Sequence, residues 1–221
     1  MLEVFKTAEV RGDRHQLSEL VTQITEKPAV GWHRNRNREP PKMPKLRAGH
    51  EVAVFRCEKE PEWPTADLFI LGDGNSLKVT NIVPVSVPQL SRNQYNMILD
   101  DFVSRNIQSH AKDLKLTVNL TADRRPITDW MSSESAKLLA TYSRSANRTI
   151  TPPSDEDLWR NFLIQAHLDR TNLDTETLFR WLTEEEGWLE DRARELTIEF
   201  EFALSLLNDY DQRRENHDKP R

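Results

Sequence analysis

Two runs of charge hold the residues best suited to chemistry in this chain. Between Trp32 and His50 lie Arg34, Arg36, Arg38, Lys42, Lys45 and Arg47, against one acid, Glu39. Guanidinium groups fork onto phosphate oxygens, Asn side chains read base edges, and Trp32 or His33 would stack on a base. Trp32, His33, Arg34, Arg36 and Arg38 are therefore the candidate RNA or DNA contacts. The plainer account is a solvated loop whose arginines pair with acids of the same chain or of a second copy. A small basic cluster on an acidic protein gives weak phosphate affinity, which favours that account. Between Ser154 and Asp211 the balance reverses, with sixteen Asp or Glu against five Arg. Glu184, Glu185 and Glu186 end a helix just before Gly187, where the macrodipole disfavours acids. A basic partner nearby would explain them, and the basic loop is one such partner.

Aromatic residues mark the same acidic region. Trp159, Trp181 and Trp188 fall within about thirty residues of one another, beside Phe162, Phe179, Phe200 and Phe202, and most read as core at helical spacing. Phe200 and Phe202 are two apart, so on one helix they cannot share a face, and one of them points to a second packing surface. The alternation of Leu196, Ile198, Phe200 and Phe202 is equally that of a strand. Glu184, Glu185, Glu186, Trp188 and Phe202 are the candidate partner-binding residues. The acids would steer a basic protein and the aromatics would anchor it.

Other chemistry has weaker support. Arg105-Asn-Ile-Gln-Ser-His110 resembles the Arg-Asn-x-x-x-His pattern of HEPN ribonucleases, which implies Arg105 and His110 as catalytic groups at an RNA 2′-OH and phosphate. HEPN folds are all-helical, whereas here the motif closes a helix between strands. The plain role of both residues is to compensate the helix dipole. His15, His33, His50, His110, His167 and His217 show no metal-ligand spacing. Gly72-Asp73-Gly74-Asn75 reads as a hairpin turn, not a nucleotide or calcium loop. Cys57, the one cysteine, lies in a strand and reads as buried, not reactive. Asp100 and Asp101 point about 100° apart on a helix and form no carboxylate pair. The chain thus reads as non-enzymatic, with no cofactor and no metal.

The elements that must carry these residues follow from periodicity. Leu2–Val10 reads as a strand. Asp13 opens a helix with Leu17, Leu20, Val21 and Ile24 inward, stopped by Pro28. Residues 31–49 read as a long basic loop. Strands follow over Glu51–Cys57, Asp67–Leu71 and Leu77–Val85, with Pro84 marking an edge or terminus. Ser91 and Gln94 form a capping box for a helix with Tyr95, Ile98, Leu99, Phe102 and Val103 inward. Leu114–Leu120 alternates as a half-buried strand. Helices follow from Asp129, from Ser154 after the linker 147–153, from Asp174, and from Leu189 to Tyr210. The fold class expected is α+β: residues 1–125 form a mixed or antiparallel sheet layer with two helices, 126–211 an acidic helical domain, and 212–221 a frayed tail.

The whole chain bounds the rest. It has 221 residues, 37% hydrophobic and 30% charged, with net charge −5. Its mean hydropathy is −0.72. Six Trp and eight Phe are enough to build a core and argue against disorder. No apolar run approaches the ~20 residues that span a bilayer, and a charged N-terminus is no signal peptide, so a cytoplasmic protein is expected. The stretches 81–102, 155–167 and 173–188 resemble segments of an uncharacterised family of bacterial proteins, over roughly the second two-thirds of the chain. That resemblance implies a bacterial origin and no obvious enzymatic signature. The reading is a protein-binding accessory of immunity or antitoxin type, with a possible homo-oligomer. The alternatives are an RNA- or DNA-binding protein or ribonuclease using 32–47, and a small-molecule enzyme with no nominated residue.

Overall fold

The computed structural model describes residues 1–39, 51–147 and 153–217. Lys42, Lys45, Arg47 and His50 of the basic loop, most of the 147–153 linker and the last four residues lie outside them. In chain order the elements are β1 (Leu2–Glu3), β2 (Ala8–Arg11), α1 (Arg14–Glu26), β3 (Trp32–Arg34), β4 (Glu51–Cys57), β5 (Ala66–Gly72), β6 (Ser76–Pro84), α2 (Arg92–Phe102), α3 (Gln108–Ala111), β7 (Thr117–Leu120), β8 (Arg124–Arg125), α4 (Ser133–Ser145), α5 (Pro153–Leu168), α6 (Thr175–Arg180) and α7 (Glu190–His217). The chain divides into two compact units, Glu3–Asp123 and a helical one of Met1–Leu2 with Arg124–Arg221. The fold is α+β.

In the first unit six strands form an antiparallel sheet in the order β3-β4-β5-β6-β2-β7. The β5–β6 hairpin turns at Gly74, whose φ of 95° needs a glycine. Asp73 fixes the turn by accepting from the backbone N–H of Asn75 and Ser76. Ala66, Leu68 and Ile70 of β5 join Leu17, Leu20 and Ile24 of α1 and Ile98, Leu99 and Phe102 of α2 in one core. Capping boxes start both helices, Asp13 with Gln16 and Ser91 with Gln94. A π-helical turn (Val103–Ile107) joins α2 to α3.

In the helical unit α4, α5, α6 and α7 enclose Leu139, Tyr142, Trp159, Phe162, Leu178, Leu182, Leu196 and Phe200. Tyr142 stacks on Trp188, and Phe162 on Phe200. Asp174 caps α6, a π-helical turn (Trp181–Glu185) follows, and Gly187 reverses the chain at φ 69°.

Five expectations change. The helix expected from Asp129 starts at Ser133, where Ser132 caps it, after a 3-10 turn over Ile127–Asp129. The strand expected over Leu114–Leu120 is Thr117–Leu120, because the chain turns at Lys115 with φ 54°. The strand expected over Leu2–Val10 is two strands, separated at Val4–Thr7. There, Asn96 of α2 takes the backbone by accepting from the Lys6 N–H and donating to the Val4 carbonyl. The basic loop is ordered at its start: Trp32–Arg34 pairs with β4, and Arg36–Arg38 forms a 3-10 turn. The reason is Trp32, which sits in the core against Phe102. The last helix does not stop at Tyr210 but runs to His217. Its added turn holds Gln, Arg and Glu, all good helix formers, and Asp211 is tied to His167 of α5 at 2.9 Å.

Candidate interaction surface

A fully buried carboxylate lies beside the start of the basic loop. Asp67 sits on β5 between Ala66 and Leu68, which face the core, so the pleat sends its carboxylate to the opposite face. It is 0% exposed. Its cross-strand neighbour Arg56 donates to both oxygens at 2.8 Å, Asn35 donates at 3.0 Å and Arg38 at 3.2 Å. Burial pushes the carboxyl pKa up, but the hydrogen bonds from Arg56, Asn35 and Arg38 outweigh it and hold the group at about 2. Arg34 is also engaged, by Glu39 at 2.7 Å and by Thr25 at 3.1 Å. Trp32 is buried, and its indole N–H donates to Asp101 at 2.7 Å. Of the five nucleic-acid candidates, His33 and Arg36 are exposed without an ion pair among the described residues. Among the described residues, the start of the loop is tied to its own sheet by Asn35 and Arg38.

Arg105 donates to Asp101 at 3.3 Å and to the Val30 carbonyl at 2.9 Å, tying the π-helical turn to the segment before β3. No side-chain hydrogen bond joins Arg105 to His110 among the described residues. Cys57 is buried, which raises its thiol to about 11. No group of three His, Cys, Asp or Glu side chains is placed to hold a metal ion among the described residues.

The acidic triplet is likewise occupied. Glu184 accepts from Arg180, one turn earlier, at 2.8 and 2.9 Å. Glu185 receives the N-terminal ammonium of Met1. Glu186 accepts from Ser143 at 2.8 Å, and Ser143 in turn accepts from the indole N–H of Trp188 at 2.8 Å. Trp188 is therefore a buried residue of the helical core. The cations that offset the unfavourable helix-end placement are Arg180 and the chain's own N-terminus.

What the helical unit displays instead is apolar. Phe200 is 2% exposed and Phe202 68%. The helix wins over the strand alternation, and positions two apart on it point about 200° apart. Ile198, Leu206 and Tyr210 are also exposed, and with Phe202 they repeat every four residues along one ridge of α7. Ala203 and Leu204 pack against the core on the other side, and Leu207 is half-buried. Phe202 was legible from its two-residue spacing to Phe200. Ile198, Leu206 and Tyr210 were signalled by the same four-residue period, a second apolar stripe on a helix that needs only one.

Two concavities complete the inventory. One, of about 510 Å³ in the sheet unit, lies between Phe5–Thr7 and Val79–Pro84 and is floored by Leu90 and Tyr95. Its one cation, Lys6, is paired with Asp100. The other, of about 580 Å³ in the helical unit, contains the His167–Asp211 pair. No protein-family model, curated protein or solved structure matches the chain. No helix among the described residues is long and apolar enough to cross a membrane.

Proposed function

We propose that the protein is a non-enzymatic protein-binding accessory of immunity or antitoxin type, and that it binds through the outward face of α7. The supporting observation is the stripe Ile198, Phe202, Leu206 and Tyr210, four large apolar side chains in a row on a helix whose opposite side already fills a core. A helix face read as i, i+4 anchors is a recurrent recognition mode, with the neighbouring Glu195, Glu199 and Asp209 setting charge specificity at the rim. Among the residues first singled out, Phe202 anchors this surface. Glu184, Glu185, Glu186 and Trp188 support the helical core behind it. The nucleic-acid alternative draws on Arg36 and His33, because Arg34, Arg38 and Trp32 have internal partners.

Native mass spectrometry of the protein purified from its own host tests this proposal. The expected spectrum is a stoichiometric protein assembly that Phe202→Asp releases. A bare wild-type monomer, or co-purifying nucleic acid lost on Arg36→Ala, overturns it.

A further inference from the structure

We infer that the occupant of the α7 face is a second copy of this chain, packed antiparallel. This inference rests on the reading of α7 as the contact surface. The four anchors are evenly spaced about position 204, and a two-fold axis there sets Ile198 against Tyr210 of the second copy and Phe202 against its Leu206. A ridge of residues four apart is the element that interdigitates in the commonest class of helix packing, and a self-complementary patch is what a two-fold dimer requires.

Charge selects the direction. Glu195 stands three residues before Ile198 and Arg213 three residues after Tyr210, both within about 10° of the stripe's midline at 100° per residue. The same axis sets Glu195 of one copy against Arg213 of the other, at both ends. Glu195 is 62% exposed and held by Arg192 at 2.6 Å. Arg213 is exposed and has no ion pair among the described residues. A parallel pair would set Glu195 against Glu195 and Arg213 against Arg213. Glu199 and Asp209 lie about 40° either side of the same midline; they oppose each other in the antiparallel pair, but in a parallel pair each would oppose its own copy, so the Glu195–Arg213 pairs decide the direction.

Area sets the strength. Ile198, Phe202, Leu206 and Tyr210 are 61%, 68%, 57% and 62% exposed. Covering them on two copies removes roughly 900 Å² from water, at the small end of specific interfaces, the size at which weak and reversible association is typical.

Sedimentation velocity on the full chain, from about 1 to 300 µM, tests this. The expected result is a monomer–dimer equilibrium within that range. Phe202→Asp should weaken it at least ~100-fold, since symmetry counts the change twice. Glu195→Arg should weaken it ~10-fold, and Glu195→Arg with Arg213→Glu should restore it. All three positions are exposed, so circular dichroism should be unchanged in every variant. A wild-type monomer across the range overturns the dimer, as does a dimer indifferent to Phe202→Asp. A dimer that loses strength with Phe202→Asp but ignores the charge reversals overturns the antiparallel arrangement. A monomer that carries a different protein, released by Phe202→Asp, overturns the second copy but not the binding face. A monomer with no protein partner overturns both.

Discussion

The basic loop and the last helix treat their conspicuous residues in opposite ways. At the loop, Arg34, Arg38 and Trp32 turn inward to Glu39, Asp67 and Asp101. On α7, Phe202 turns outward although Phe200, two residues before it, is core. Charge in a sequence advertises a surface only if no internal counter-charge claims it. An apolar residue advertises a core only if its helix has a single apolar face. The described start of the loop is therefore tied into the fold, and α7 is left with an exposed apolar row.

Substitutions sharpen that contrast, and the phenylalanine pair gives the largest difference. Phe200→Ala should cost about 3–5 kcal/mol in urea unfolding, by leaving a cavity beside Phe162, whereas Phe202→Ala should stay within about 0.5 kcal/mol. Equal losses would erase the inside–outside division of α7. Asp67→Ala strands Arg56, Arg38 and Asn35 around a buried void and should cost about 3 kcal/mol or more. A loss below about 1 kcal/mol would mean that the loop is not held there.

The same carboxylate predicts a pH dependence. Asp67 is held at about 2, below its ordinary 3.8. Its contribution, roughly 2 kcal/mol, is present above that ordinary value and is lost as pH falls through about 2. Acid unfolding should lose this component in Asp67→Asn, and an unchanged acid limb would show that the pair adds nothing. Ser143→Ala removes the acceptor of the buried Trp188 N–H and should cost about 1–3 kcal/mol. The smallest effect belongs to Glu184→Gln, whose partly exposed i,i+4 pair with Arg180 contributes about 0.5 kcal/mol. A larger loss there would return the acidic triplet to the centre of the account.

Much of the fold was legible because period and punctuation agreed. Ser91 with Gln94, Asp174, Gly187 and the Gly72–Asn75 turn each mark an element end where the structure has one. The interruption at Val4–Thr7 was not legible, because it depends on Asn96, about ninety residues away in the chain. The order within the basic loop was hidden too. Trp32 was weighed for stacking on a base, while its burial depends on Phe102 and Asp101 of α2. At the candidate surface, the spacing of Phe200 and Phe202 required one of them to turn away. Which one turned depended on where α5 packs. The partners of Glu185 and Glu186 needed three-dimensional information, since Met1 and Ser143 are remote in sequence, whereas Arg180 stands one helical turn before Glu184.

Hydrogen–deuterium exchange on the protein as isolated from its host, beside its Phe202→Asp variant, tests the central claim most directly. The backbone over 208–215 lies on an exposed stretch of helix that should exchange quickly unless covered. Slower exchange of 198–210 in the wild type than in the variant, with 32–39 and 181–188 alike in both, is the result predicted for a contact face on α7. Equal exchange along 198–210, or a difference confined to the charged segments, would contradict it.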